Sequence, residues 1–311
     1  MEYNEYDYEK YEENLIKEWE NKITPIPQFS EKVKILKIKY SEEQTKIMNI
    51  FRAVVLSKEI SLKVYELTSL IISIFPSNYM AWILRRECID KVEEIDLGQE
   101  LYWLDSLMIE NQKNYQIWHH RKLLIEKMDD VSHEKQILSN VFYYEPKNFH
   151  AWTHRIWMIR RFNNVEDEFD FIEYMLKSDI KNNSVWNYRF FLVQFINNNN
   201  LNKDIVEKEI KYALEKIKIK HINECPYCYI RGLINKSRFK YNDFKFVKDE
   251  LEKIIEKNEN DSYGLNLLLD YYEEEKNKEK FNEIIEKLIK VDFIRKKYYA
   301  WRKKNFIFNN E

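Results

Sequence analysis

Glycine is almost missing from this chain: three residues, Gly98, Gly232 and Gly264, among 311. An average composition would hold roughly 7%. Tight hairpins and bulges depend on glycine and proline, and prolines number only five, so a mostly-β fold is excluded. Three scattered glycines cannot assemble a phosphate-cradling loop or a dinucleotide fingerprint either. Cysteine is scarce too, with Cys88, Cys225 and Cys228 alone, which predicts a reducing compartment rather than a disulfide scaffold. Long apolar runs are lacking. The longest, residues 67–75, contains Thr68, Ser69 and Ser73 and is about half the ~20 residues of a membrane span. The opening stretch from Glu2 to Glu13 is acidic and tyrosine-rich, unlike a secretory leader, so a cytoplasmic location is expected. Excess charge of one sign is the last absence: 51 basic against 53 acidic residues leave no footprint for nucleic acid.

What the chain does have is apolar material, 44% hydrophobic and 15% aromatic, enough to exclude the disordered classes. It also has a repeat. Asn78-Tyr79-Met80-Ala81-Trp82-Ile83-Leu84-Arg85 lines up with Asn114 to Arg121, Asn148 to Arg155 and Asn182 to Arg189. Each copy reads Asn-x-x-x-Trp-x-x-Arg, and the tryptophans Trp82, Trp118, Trp152 and Trp186 fall 36, 34 and 34 residues apart. A fifth, eroded copy places Tyr227 in the tryptophan position. Self-similarity at this period marks a stack of supersecondary units.

Each unit reads as two helices. Apolar spacing predicts helices over 101–109 and 115–127 in one unit and over 133–144 in the next, the last stopped by Glu145-Pro146. Asn114 and Asn148 are suited to cap the second helix of each pair, because an asparagine side chain accepts from an orphan N–H. Trp and Arg three apart share a helix face. The indole is placed to fill the wedge between hairpins while the guanidinium reaches a carbonyl or carboxylate of a neighbour. Such units stack into an αα solenoid. Four further helices are expected over 244–257, 262–272, 278–290 and 293–306. The fold class is therefore all-α, an αα-hairpin solenoid, a superhelix of stacked helical pairs. Residues 61–311 read as one solenoid domain with repeats centred on Trp82, Trp118, Trp152, Trp186 and Tyr227. Residues 1–60 read as an N-terminal arm, partly extended around Pro25 and Pro27 and disordered over 1–18. The segments 182–184 and 197–200 read as loops.

Asn-Tyr-x-x-Trp-x-x-Arg at this spacing resembles the α-subunit repeat of protein prenyltransferases. Lys113-Asn114-Tyr115-Gln116-Ile117-Trp118-His119-His120-Arg121 is especially similar to the α subunit shared by protein farnesyltransferase and geranylgeranyltransferase type I. The likeness extends to Trp19, Pro25-Ile26-Pro27-Gln28, Tyr40, Phe51-Arg52-Ala53-Val54 and Asp292 to Lys297, so it spans about residues 19–300. It implies a crescent wrapped around a catalytic β subunit in an obligate heterodimer that prenylates the C-termini of CaaX proteins. The β subunit would hold zinc to activate the cysteine thiol, and magnesium can accompany the isoprenoid diphosphate. By the same resemblance, Lys113 is the catalytic residue and stabilises the departing diphosphate. Tyr115, Asn148 and His150 would line the diphosphate site, and Gln116 and Tyr79 the peptide site. Phe149 departs from the family's usual tyrosine, which removes a hydroxyl there.

Chemistry gives Lys113 independent sense: it precedes a helix N-terminus, where the macrodipole favours an anion. A loop lysine is ordinarily no more than a solvated charge, and it is the resemblance that singles this one out. No metal site is expected in this chain. His150 and His154 lie four apart but lack a third ligand, and the shared position of His120 and His154, two after tryptophan, points to a structural hydrogen bond. Cys225-Pro226-Tyr227-Cys228 follows no strand and has no second Cys pair, so both read as ordinary buried thiols. The alternatives are a Rab-type geranylgeranyltransferase α subunit, disfavoured by the Pro-Ile-Pro-Gln and Phe-Arg-Ala-Val arm, and a tetratricopeptide-like interaction scaffold, which lacks the Asn-Tyr-x-x-Trp-x-x-Arg core.

Overall fold

In a computed structural model the structure describes residues 5–28 and 38–308. Among the described residues the regular elements are α-helices and two short 3-10 turns, with no strand. Two compact units emerge, Met1–Arg155 and Ile156–Glu311, and the division falls inside one helix, α8.

The first unit opens with α1 (Glu5–Lys22) and α2 (Glu42–Ser57). The expectation of disorder over 1–18 is corrected from Glu5 onward; residues 1–4 lie outside the described residues. Leu15, Ile16 and Trp19 fall on one helical face and are all buried, and that burial holds α1 against α2 and α3. Residues 24–27 are non-helical, and Arg52 on α2 clips them by donating to the Ile26 carbonyl at 2.9 Å. Three hairpins follow: α3 (Leu62–Ile74) with α4 (Tyr79–Lys91), α5 (Leu97–Glu110) with α6 (Tyr115–Met128), and α7 (Glu134–Tyr144) with α8 (Phe149–Phe162). In the second unit α9 (Glu168–Ser178) pairs with α10 (Asn183–Ile196) and α11 (Lys203–Ile219) with α12 (Glu224–Lys236). Then come α13 (Lys245–Lys257), α14 (Ser262–Glu274), α15 (Lys278–Val291) and α16 (Lys296–Phe308). Phe281 of α15 stacks on Phe306 of α16 at 4.1 Å and closes the apolar end of this unit. The expected αα-hairpin solenoid is the architecture of each unit. One boundary shifts: α10 begins at Asn183, so only Asn182 of the segment 182–184 lies outside the helix.

The repeat residues do the same job in each copy. Asn78, Asn114, Asn148, Asn182 and Asn223 accept backbone N–H bonds of the following helix through their side chains, a cap worth ~1 kcal/mol each. The indole N–H of each tryptophan donates six residues back into the interhelical turn: Trp82 to Pro76, Trp118 to Gln112, Trp152 to Pro146 and Trp186 to Ile180, at 2.7–3.0 Å. Tyr227 breaks this pattern. Its hydroxyl instead donates forward to Asp261, the cap of α14, at 2.5 Å.

Arginine and histidine meet on buried glutamates. Arg85 donates to both oxygens of Glu100, and His120 from the next hairpin donates to Glu100 Oε1 at 2.6 Å. Arg121 likewise holds Glu134 with bonds of 3.0 and 2.6 Å while His154 donates at 2.6 Å. Glu209 joins Arg189 to Tyr229 in the second unit. Each glutamate, on the first helix of its hairpin, thus staples the second helix of the preceding hairpin to the second helix of its own. The structural hydrogen bond expected of His120 and His154 is this one.

Cys225 and Cys228 depart from expectation. Cys225 is half-buried, its thiol 3.5 Å from the Lys181 carbonyl, and Cys228 is exposed; both are free. Pro226 and Tyr227 between them occupy the inward positions of α12, which turns the flanking thiols outward.

Candidate functional site

The expected site residues sit at the N-terminal ends of α4, α6 and α8, in the first unit. Three aromatic residues open these helices, Tyr79, Tyr115 and Phe149, and all are exposed, at 59%, 69% and 66%. The capping asparagine just before each one fixes the first turn, so its ring is held out at the helix end rather than packed beneath it. Lys113 precedes the Asn114 cap. Its side chain is 76% exposed, and its ammonium lies 2.9 Å from Glu145 Oε1.

His150, in the first turn of α8, is half-buried. Its ring meets Tyr115 edge-on at 4.3 Å and lies parallel to Trp118 at 6.3 Å. Burial pushes its imidazole pKa down, against a backbone hydrogen bond at Lys113 and the charge of Glu145, so the ring is neutral at pH 7. Lys113, Tyr115 and His150 are therefore brought together. Asn148 is buried and fully engaged. Its Oδ1 accepts from Ala151, and its Nδ2 donates to the Gln112 carbonyl at 3.3 Å and to Glu145 Oε2 at 2.9 Å. Its reach into the site runs through Glu145.

Gln116 lies on the first turn of α6, its backbone N–H bonded to Asn114. Its side-chain Oε1 is buried without a hydrogen-bond partner among the described residues, an unusual condition for a buried polar atom. Tyr79 interacts electrostatically with Arg86, whose Nη1 is similarly buried and unpartnered among the described residues.

Sequence reasoning missed Glu145 and Arg86. In the sequence Glu145 reads only as part of a helix-stopping Glu-Pro pair, and nothing in its local pattern signals a bond across to another hairpin's loop. The stapling glutamates were missed too, but there a signal existed: Glu100, Glu134 and Glu168 recur at the 34-residue period. Among the described residues no group of three or more His, Cys, Asp or Glu side chains could hold a metal ion. No described helix is long and apolar enough to cross a membrane.

The protein-family profile described as protein prenyltransferase alpha subunit repeat matches residues 97–128, 131–162 and 165–196, the hairpins α5–α6, α7–α8 and α9–α10. The protein farnesyltransferase/geranylgeranyltransferase type-1 subunit alpha of Schizosaccharomyces pombe is 36% identical over 103 residues, 33% of this chain and 35% of that protein. Its counterpart from Candida albicans is 32% identical over 110 residues, 35% and 36% of the two chains. The matched stretch thus spans about a third of the length of these relatives. Among solved structures, a chain of Candida albicans protein geranylgeranyltransferase-I complexed with GGPP has a TM-score of 0.81 and 25% identity, over 92% of this chain and 98% of that chain.

Fold and capped, aromatic-tipped hairpins together define a helical repeat protein of prenyltransferase α-subunit type. The chain carries protein prenyltransferase α-subunit repeats, and the relatives it resembles over about a third of its length are α subunits of the farnesyltransferase/geranylgeranyltransferase type I kind. Outside the profile match, the hairpins α3–α4 and α11–α12 carry the same asparagine cap.

Proposed function

We propose that this chain is the α subunit of a heterodimeric CaaX protein prenyltransferase, of the farnesyl and geranylgeranyl type I class, working in the cytoplasm. The observation that carries the reading is the likeness to the geranylgeranyltransferase-I chain, at 92% and 98% coverage. In this reading the β subunit bears the zinc, which activates the acceptor cysteine thiol, and magnesium accompanies the diphosphate. Expressed with its β subunit, the chain should form a 1:1 complex through an interface above ~2,000 Å² and transfer an isoprenoid to CaaX peptides. A monodisperse monomer that ignores every prenyltransferase β subunit offered points instead to an interaction scaffold.

Within the complex, Lys113 acts on the leaving group. As the bond between isoprenoid carbon and diphosphate oxygen breaks, negative charge gathers on the diphosphate, and an ammonium aimed there stabilises the transition state more than the ground state. Tyr115 and neutral His150 flank Lys113 and shape the same site, while Gln116, with its unpartnered amide oxygen, and Tyr79 face the peptide C-terminus.

Lys113→Ala in the heterodimer is expected to slow the chemical step roughly ten- to a hundredfold, from the ~1.5–3 kcal/mol of a charge-assisted hydrogen bond. Diphosphate affinity should fall less. The exposed side chain packs little, so the melting temperature should hold. Lys147→Ala, one repeat further on, should do less. Single-turnover kinetics decide it, and an unchanged chemical rate for Lys113→Ala removes the catalytic role.

A further inference from the structure

We propose that Glu145 is an internal counter-ion to Lys113 that a diphosphate must displace, so that this carboxylate sets how tightly the site holds an anion. The inference rests on the reading of Lys113 given above.

Glu145 ends α7, its backbone N–H still bonded to Val141. One carboxylate oxygen, Oε2, is gripped at 2.9 Å by the buried side chain of Asn148. Asn148 in turn is pinned by the α8 cap and by the Gln112 carbonyl. The other oxygen, Oε1, faces the Lys113 ammonium across 2.9 Å, from a different hairpin's loop. Anchored on one side, the carboxylate presents a fixed negative charge to a lysine whose side chain is otherwise largely exposed. The Lys113 bond holds the Glu145 carboxyl below its usual range, against burial and with help from Asn148. Lys113 and Glu145 also line a shallow depression of about 490 Å³ together with Ser77 and Glu110, so a second carboxylate faces the same space.

An exposed ion pair contributes little to folding, and this one is better understood through what it does to a third charge. A diphosphate drawn to Lys113 arrives within several ångströms of Glu145. To bind there it must take the ammonium from Glu145, and the loss of that pair costs more than the carboxylate gains by restraining one lysine rotamer. Glu145 therefore weakens ground-state anion binding. It also favours release of the diphosphate product.

The test uses the α–β complex and four proteins: wild type, Glu145→Gln, Lys113→Ala and the double variant. Glutamine keeps the shape and one acceptor for Asn148 but removes the charge. Glu145→Gln is expected to bind geranylgeranyl diphosphate about three- to tenfold more tightly at low salt. Inhibition by inorganic pyrophosphate should strengthen in parallel, while the KM for the CaaX peptide stays put. In the Lys113→Ala background the same change should alter affinity less than about twofold, because the two groups are coupled. If Lys113→Ala weakens binding but Glu145→Gln leaves it unchanged or weaker, the counter-ion role is wrong and the function stands. If Lys113→Ala does not weaken binding at all, the reading of the site itself is wrong, and the counter-ion role goes with it.

Discussion

Arg121→Ala is expected to destabilise the chain by about 3–5 kcal/mol, the usual consequence of stripping the partner from a buried charge. Arg121 is fully buried and answers two acids, Glu134, also fully buried, and the less buried Asp105. Alanine would leave Glu134 ionised with only the His154 bond at 2.6 Å for support. It would also open a space the size of a guanidinium between hairpins. In a chain of this length, 1 kcal/mol shifts Tm by roughly 2–4 °C, so a fall on the order of 10 °C should be seen in thermal melts. Lys91→Ala is the control: its i,i+4 partner Glu87 is half exposed, and such pairs are worth at most ~0.5 kcal/mol. An Arg121→Ala melt within ~1 kcal/mol of wild type would mean that the staple carries no load. Replacing Arg121 and Glu134 together by apolar residues of similar volume should recover much of the loss, since a dry contact needs no charge balance.

Acid should unfold the protein in two stages. Burial alone would raise the carboxyl pKa of Glu100, but the His120 bond and the Arg85 charge outweigh it and bring it to about 2. His154 and Arg121 do the same for Glu134, also to about 2. Unfolding returns these groups to ~4.3, so the unfolded chain binds more protons and stability is lost as pH falls from ~4.3 towards 2. A shift of this size is on the order of 3 kcal/mol for each carboxylate. The histidines act earlier. Burial lowers the imidazole pKa of both His120 and His154, despite the pull of their glutamates. For His120 the reason is plain, since Nδ1 is buried with no acceptor among the described residues. The unfolded histidines take up protons below ~6.5, so destabilisation begins there. Urea melts from pH 7.5 to 3 should show a first decline below ~6.5 and a steeper one below ~4.3. His154→Gln keeps a donor for Glu134 and should shrink only the first stage. A wild-type stability that is flat from pH 7 to pH 3 would contradict both assignments.

Much of this protein was legible in its residues because the informative positions repeat. Scarcity of glycine and proline excluded sheets, and the Asn-x-x-x-Trp-x-x-Arg copies located the hairpins and named their caps. Those contacts are local: an asparagine caps the helix it precedes, and the indole bonds back six residues. Separation along the chain is short, and the pattern records it.

The tertiary structure alone decided what joins distant segments. That Arg121 and His154 converge on Glu134, or that Lys113 faces Glu145 across 32 residues, depends on how one hairpin lies against the next. Helix α1 illustrates the same limit. Its acidic, tyrosine-rich beginning has the composition of a disordered tail, yet Leu15, Ile16 and Trp19 find a surface to bury against, and burial outweighs composition. Cys228 shows the converse, a thiol left exposed because Tyr227 beside it takes the inward position. A sequence records the preferences of each residue and its neighbours. Which buried charge meets which depends on packing between hairpins, and that is settled only when the whole unit closes around them.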